Sequence, residues 1–195
     1  MILPILSYGH PILRRVCEEI SPGYEKLDEL IENMWQTLYS AKGCGLAAPQ
    51  VNIPVRLFMV DSKTSFELLR EDERAFYFET GDTGIRETFI NARITEQSSE
   101  TWEDEEGCLS IPNLTRIIAR PINITINYLD RFFIPHTRKF SGLTARMIQH
   151  EYDHIEGKLY LDYIKPVGRK LLKRKLHKIS TGLLPAKYPM IYCRK

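Results

Sequence analysis

His150 and His154 stand four residues apart, with Glu151 directly after the first, in a stretch from Leu143 to Glu156 that nothing prevents from being one helix. At that spacing two imidazoles lie on one face, one turn apart, where they can grip a single metal ion. Glu151 falls about 100° round the helix from His150, near enough to reach a water at the metal without being a ligand. Gly157 is a natural stop for the helix. On the helical wheel Leu143, Met147, His150 and His154 share a stripe, with Glu151 at its edge. Ala145, Ile148, Tyr152 and Ile155 form a second apolar stripe, leaving Arg146, Gln149, Asp153 and Glu156 as a polar side. A helix apolar round most of its circumference is buried. Two histidines and a glutamate inside it are costly to desolvate unless paired or bound to metal. The competing reading is an accidental pattern on an ordinary helix; the spacing favours metal.

The chain has 195 residues, enough for one sizeable core, and no break in composition calls for two domains. Met1–Leu6 lacks a basic region and a long apolar run, so no secretion signal is expected there, and no stretch approaches a membrane span. Cys17, Cys44, Cys108 and Cys193 show no paired spacing, which suits a reducing, cytoplasmic setting. The net charge of +2 hides an asymmetry, because residues 165–195 hold ten Lys/Arg and no Asp/Glu. The remainder, residues 1–164, holds 17 Lys/Arg against 25 Asp/Glu.

In chain order, Pro11 to Glu19 reads as a short helix opened by proline. A longer helix follows Ser21-Pro22-Gly23, with Leu27, Leu30, Ile31, Met34, Trp35 and Leu38 at helical spacing and Gly43 at its end. Val55 to Val60 and Thr88 to Thr95 read as strands, as does Ile122 to Tyr128, where apolar residues alternate with Asn123, Thr125 and Asn127. Residues 61–87 read as a surface excursion with helical content around Phe66 to Phe76, and Trp102 to Ser110 as an acidic stretch ending in Glu106-Gly107-Cys108-Leu109-Ser110. Asp130-Arg131 is a turn into one more strand. Helices at both ends with antiparallel strands between them predict an α+β fold: antiparallel or mixed sheets packed around a central metal-binding helix, with N-terminal helices and a basic C-terminal helix.

Two histidines leave a catalytic metal short of a third protein ligand. His10, His136, His177, the acidic side chains and the four cysteines are all candidates; Cys108 stands out because Gly107 before it gives room at a turn. Gly43-Cys44-Gly45-Leu46-Ala47-Ala48-Pro49-Gln50 lets backbone approach something closely, or makes a tight turn. Within it, the Gln50 amide is a potential donor to a developing oxyanion.

Three blocks, Gly43 to Gln50, Glu106 to Ser110, and Gln149-His150-Glu151-Tyr152-Asp153-His154, occur in the order and wording of the peptide deformylases, and the sequence resembles that family over residues 1–164, including Gly9-His10-Pro11-Ile12-Leu13-Arg14. The excursion at 61–87 is longer than the common form; Asn91-Ala92 replaces Asn-Pro, and Arg131-Phe132-Phe133 lacks the glycine often found after that Asp. The resemblance implies a metal-dependent hydrolase that removes the N-formyl group from the initiator methionine of new proteins, releasing formate. It implies Cys108, His150 and His154 as ligands of one divalent metal, Fe²⁺ in the cell, with Ni²⁺, Co²⁺ or Zn²⁺ able to substitute. Thiolate plus two imidazoles independently suits Fe²⁺ or Zn²⁺ better than Mg²⁺ or Ca²⁺. Water activated by the metal would attack the formyl carbon while Glu151 acts as general base and then acid. Gln50 and the Leu109 N–H would hold the oxyanion.

Cys44, Leu143 and Met147 read as lining an apolar pocket for a methionine side chain, or else as ordinary core packing; the resemblance implies Gly45 pairing with the extended substrate. Glu106 would support the site, and Arg120 with Asp153 would form a structural ion pair. Lys170 to Ile179 reads as a basic amphipathic helix, so residues 165–195 are expected to continue the catalytic domain of residues 1–164. A solvated face is the usual explanation of ten cations without an anion; contact with ribosomal RNA is the alternative that suits an enzyme whose substrate emerges from a ribosome. A metallopeptidase would share the histidine pattern without needing Glu106 to Ser110. A non-catalytic RNA-binding relative would be expected to have lost Glu151 or a ligand.

Overall fold

The computed structural model describes residues 1–193; Arg194 and Lys195, the end of the basic tail, lie outside the described residues. In chain order the elements are β1 (Ile5–Leu6), α1 (Leu27–Ser40), β2 (Gly45–Ala47), β3 (Leu57–Asp61), α2 (Ser62–Leu68), α3 (Glu71–Tyr77), β4 (Arg86–Gln97), β5 (Thr101–Cys108), β6 (Ile111–Pro121), β7 (Asn123–Leu129), β8 (Pro135–Ser141), α4 (Gly142–Ile155), α5 (Pro166–Ser180) and β9 (Met190–Ile191). The main sheet runs β2-β3-β4-β7-β8, with every pair antiparallel. β5 and β6 form a separate hairpin, and β9 pairs in parallel with β1. Helices and mostly antiparallel strands give the α+β class expected from the sequence.

α4 is the central element. Ala145, Met147, Ile148 and Ile155 pack into a cluster with Ala47, Phe58, Val60, Phe89 and Ala92 of the main sheet. Fully burying an aliphatic or aromatic side chain of this size stabilises a fold by about 1.5–3 kcal/mol. α1 covers the other side of β2 and β3 through Leu30, Ile31, Met34 and Leu38. α5 buries Leu172, Leu176 and Ile179 against Ile111, Leu114 and Ile118 of the hairpin, so the basic helix is packed onto the rest of the chain. Among the described residues no helix is long and apolar enough to cross a membrane, and the four cysteines are free.

Three sequence expectations change. Pro11 to Glu19 forms only one 3-10 turn, Pro11–Arg14. Proline does open a turn, but the backbone beyond it is taken by tertiary partners: Cys17 N–H donates to Ile155 O at 2.9 Å, and Arg56 N–H to Glu18 O at 2.8 Å. The acidic run at 101–108 is a regular strand. Its alternation was hidden because two of the positions turned inward, Asp104 and Glu106, are acids rather than apolar residues. Finally, the polar side of α4 is not solvated: Arg146 is 3%, Gln149 3% and Asp153 6% exposed. The hairpin covers that side and meets it with polar groups, among them Pro121 O, which accepts from Gln149 Nε2 at 3.0 Å.

The departures noted in the sequence have local solutions. Asn91 adopts a left-handed conformation (φ 52°) and clamps Ile20, accepting from its N–H and donating to its carbonyl, both at 2.8 Å. Phe133 takes the left-handed turn position that a glycine would occupy without strain (φ 59°), and its ring packs against the core beside α1. The excursion buttresses the start of α4, where Ser62 and Thr144 share a buried hydroxyl hydrogen bond of 2.8 Å.

Candidate metal centre

α4 presents His150 and His154 one turn apart, and the bend after β5 brings in Cys108. One ligand atom from each of the three lies within 4.8 Å of the others, with Cys108 Sγ 3.2 Å from His154 Nε2. Gly157 ends the helix in the left-handed conformation (φ 69°), where a Cβ would sit 2.7 Å from Arg14 O. The other histidines left open by the sequence lie elsewhere. His136 bonds Asp130 at 3.0 Å, His177 is exposed on α5, and His10 lines a separate hollow beside β9.

His150 is oriented from behind. His150 Nδ1 meets Glu106 Oε2 at 3.0 Å, leaving Nε2 as the atom free to bind. A carboxylate behind a ligating histidine is the usual way of setting its tautomer and ring angle. Glu106 is in turn held by Arg120, whose Nε and Nη2 donate to its two oxygens at 2.9 Å each, and by Arg146 Nη1 at 2.7 Å. Arg120 Nη1 also donates to Asp153 Oδ2 at 2.6 Å, and Asp153 Oδ1 accepts from Tyr163 at 3.0 Å. The expected Arg120–Asp153 pair is thus one link of a larger buried network. Its Glu106 carboxylate is fully engaged with His150 and two arginines.

Charge follows the same arrangement. Burial opposes ionisation of Glu106, but Arg120 and His150 hold its carboxyl well below the usual range. Burial likewise disfavours a His150 imidazolium, yet Cys108 and Glu106 outweigh it and hold its pKa well above the ordinary value. His154 goes the other way, held well below by burial and by the charges of His150 and Arg120. Glu151 is 5% exposed, and burial pushes its carboxyl up to about 7.

The donor set fits a divalent metal of intermediate softness. One thiol and two imidazoles converge, one imidazole is backed by a carboxylate, and the buried Glu151 Oε2 beside them has no hydrogen-bond partner among the described residues. Gln50 lies across the site. Its Oε1 accepts from Ala47 N–H at 2.8 Å, which fixes the amide flip and turns Nε2 toward Cys108 Sγ (3.6 Å) and Ser110 Oγ (3.2 Å).

These groups open into a cleft of about 780 Å³ lined by Cys44, Gly45, Leu109, Leu143, Met147 and Glu151, among others. The sequence-predicted residues Cys44, Gly45, Leu143 and Met147 are therefore brought together at one cavity. Gly45 has a second effect: a Cβ there would meet Glu151 Oε1, and lie 2.7 Å from its Cγ and 2.8 Å from its Cδ. Gly45→Ala is expected to displace the Glu151 carboxylate and lower kcat about 100-fold, the scale of a 1 Å misplacement. Its thermal midpoint should stay close to wild type; unchanged turnover would show that Glu151 can move without consequence.

Sequence reasoning missed three groups. Arg146, which the sequence places only on the polar side of the helix, bonds Glu106, Ile118 O (2.9 Å) and Trp102 O (2.8 Å), with the Trp102 ring 4.4 Å away. Phe76 and Tyr77 of the excursion pack edge-on to that ring. Tyr188, from the tail, donates to Leu109 O at 2.7 Å. No periodicity links these positions to the histidines; only the burial of α4 on all sides could have hinted at partners for Arg146.

A model of the polypeptide deformylase family matches residues 2–170. The chain is 46% identical over 192 residues to a peptide deformylase of Christiangramia forsetii, covering 97% of this chain and 95% of that protein. It is 46% identical over 193 residues to one of Flavobacterium psychrophilum, covering 97% and 96%. Among solved structures it is similar to a peptide deformylase from Legionella pneumophila, with TM-score 0.75, 34% identity and coverage of 91% of this chain and 95% of that one. A peptide deformylase from Thermotoga maritima gives TM-score 0.70 at 33% identity, covering 85% and 99%.

Proposed function

We propose, from the premise that the chain belongs to the polypeptide deformylase family, that Cys108, His150 and His154 hold one divalent metal ion beside Glu151 as the acid–base group. The enzyme removes the N-formyl group from nascent peptides, and formate is the product of that hydrolysis. The observation that carries the residue assignment is the convergence of a thiol, two imidazoles and a buried Glu151 oxygen without a hydrogen-bond partner among the described residues, beside a cleft that Cys108, His150 and Glu151 line. A cation held there supplies Lewis acidity, polarising the formyl carbonyl and acidifying water. Fe²⁺ is the proposed ion in the cell, with Ni²⁺, Co²⁺ or Zn²⁺ able to substitute.

The chain's own groups do the rest. Glu151 takes the proton of the attacking water and returns it to the departing amine nitrogen, for which its carboxylate must be ionised. Gln50 Nε2, aimed by Ala47, and the Leu109 N–H donate to the oxygen that gains charge as the formyl carbon becomes tetrahedral. β2 is the edge strand of its sheet, so Gly45 can pair with an extended substrate as an added strand. Cys44, Leu143 and Met147 form the slot for the methionine side chain. Glu106 and Arg146 hold His150, and Arg120 with Asp153 ties α4 to the hairpin.

The test is formate release from a formyl-methionyl peptide by protein prepared without oxygen. Turnover is expected with Fe²⁺ or Ni²⁺, is abolished by a chelator, and returns when metal is restored. Cleavage of the same peptide lacking its formyl group would overturn the reading in favour of a peptidase.

The finer placement of the enzyme follows from its substrate: the cytoplasm, where N-formylmethionyl chains emerge. Lys170, Lys173, Arg174 and Lys178 are exposed on α5 while Leu172, Leu176 and Ile179 face inward. That basic surface is the proposed ribosomal RNA contact of residues 165–195. Co-sedimentation with ribosomes should weaken steeply with salt and on charge reversal of these four residues. Salt-independent binding would remove the assignment.

A further inference from the structure

Beyond α5 the chain turns back, and residues 184–193 form a strap pinned along its length. Leu184 N–H donates to Lys178 O at 3.1 Å, Ala186 N–H to the Tyr192 hydroxyl at 3.3 Å, and Cys193 N–H to Ser7 Oγ at 3.3 Å. β9 pairs with β1 between these points, with Ile5 N–H donating to Pro189 O at 2.9 Å. The strap closes one side of the cleft, where Ala186, Lys187 and Tyr188 line the same cavity as Cys44, Leu109 and Glu151.

Two of its side chains face chemistry. Tyr188 is half-buried, and its hydroxyl holds Leu109 O, in the residue directly after Cys108. Burial raises the pKa of its phenol, which keeps the donating proton in place. Gln50 Nε2 donates to the Oγ of the neighbouring Ser110 at 3.2 Å, a second hydrogen bond to the same bend. The bend is therefore anchored at two points, one anchor belonging to the tail. Lys187 is exposed on the rim, where Lys42 and Glu105 are the other exposed charges.

We propose that this strap is a working wall of the peptide cleft, in which Tyr188 is a positioning residue that fixes the Leu109 backbone beside the oxyanion site and Lys187 favours substrates with an anionic group beyond the formyl-methionine. The proposal rests on the deformylase reading above. Removing the Tyr188 hydroxyl leaves the ring and its packing but frees the Leu109 carbonyl. The loss then falls on the transition state, where the oxyanion donors act, more than on substrate binding. Lys187 acts through a solvent-exposed charge, so its effect is a salt-sensitive preference.

The experiment uses the full metal-loaded chain. Tyr188→Phe is expected to lower kcat about tenfold with KM within about twofold, and with metal content and thermal midpoint unchanged. Lys187→Glu is expected to reverse, by several-fold in kcat/KM, the wild-type preference for formyl-Met-Ala-Asp over formyl-Met-Ala-Lys. Wild-type kcat in Tyr188→Phe, or an unchanged preference in Lys187→Glu, overturns the proposal. Absence of formate release by the wild-type protein instead overturns the deformylase reading itself.

Discussion

Replacing Glu151 by glutamine is expected to lower kcat by about 10²–10⁴-fold while leaving one metal ion per chain, the range that loss of a positioned acid–base group produces. The geometry separates the two effects. Glu151 is next to His150 in sequence but lies on the Gly45 side of α4, and its Oε2 has no hydrogen-bond partner among the described residues. The three converging ligand atoms belong to Cys108, His150 and His154. Glutamine keeps the shape of the side chain and removes only its ability to take a proton. Metal analysis alongside steady-state kinetics checks the prediction; loss of metal with loss of activity would make Glu151 a ligand. The pH dependence has a definite sign. A base must be ionised, so kcat/KM falls as pH drops through its pKa. Burial places that value at about 7 in the absence of a cation, and a cation beside the carboxylate lowers it, so the acid limb of the loaded enzyme lies below 7.

Glu106→Ala is expected to be the most destabilising single change, at about 3–5 kcal/mol, because it strips the counter-charge from buried cations. Glu106 accepts from Arg120, Arg146 and His150 at 2.7–3.0 Å. Arg120 would keep Asp153; Arg146 would keep only carbonyl oxygens. For a chain of this length the thermal midpoint should fall by about 10 °C or more. The folded-state pKa of Glu106 is depressed, so its contribution is fully present above its unfolded value, near 4.5, and is lost as pH falls through the folded value. The gap between wild type and variant should therefore be widest near neutral pH and narrow in acid below about 4.5. Equal stability at pH 7 by chemical denaturation would mean that the arginines find other partners. The variant should also bind metal more weakly, since His150 loses the carboxylate that orients it.

The chain dictates a good deal by local physics alone. Helical spacing places His150 and His154 on one face, and apolar stripes force that helix into a core. The α+β class follows from where helical and alternating patterns occur, and the wording around Gln50, Cys108 and His150 is enough to place the family. What those patterns do not carry is how distant segments meet. Strand β5 was illegible because two of its inward positions are Asp104 and Glu106, and an inward acid makes sense only once Arg120 and Arg146 arrive from β6 and α4. The role of Arg146 is illegible for the same reason: its partners lie 28 to 44 residues away in sequence. The turn at Pro11 stopped early because Ile155 and the strand beside Val55 claimed its backbone.

Sequence by itself thus determined the candidate reactive groups and the helix that carries two candidate ligands, since both depend on residue type and on spacing within a few residues. Tertiary structure alone decided which partners fix those groups. It set the flip of Gln50 through Ala47, the nitrogen of His150 left free by Glu106, and the fit of Glu151 against Gly45. It also set the return of Tyr188 to Leu109, a contact spanning 79 residues. The physical reason is that a hydrogen bond or a close packing contact is fixed by where two groups end up in space. A one-dimensional pattern records that only when the two groups share an element.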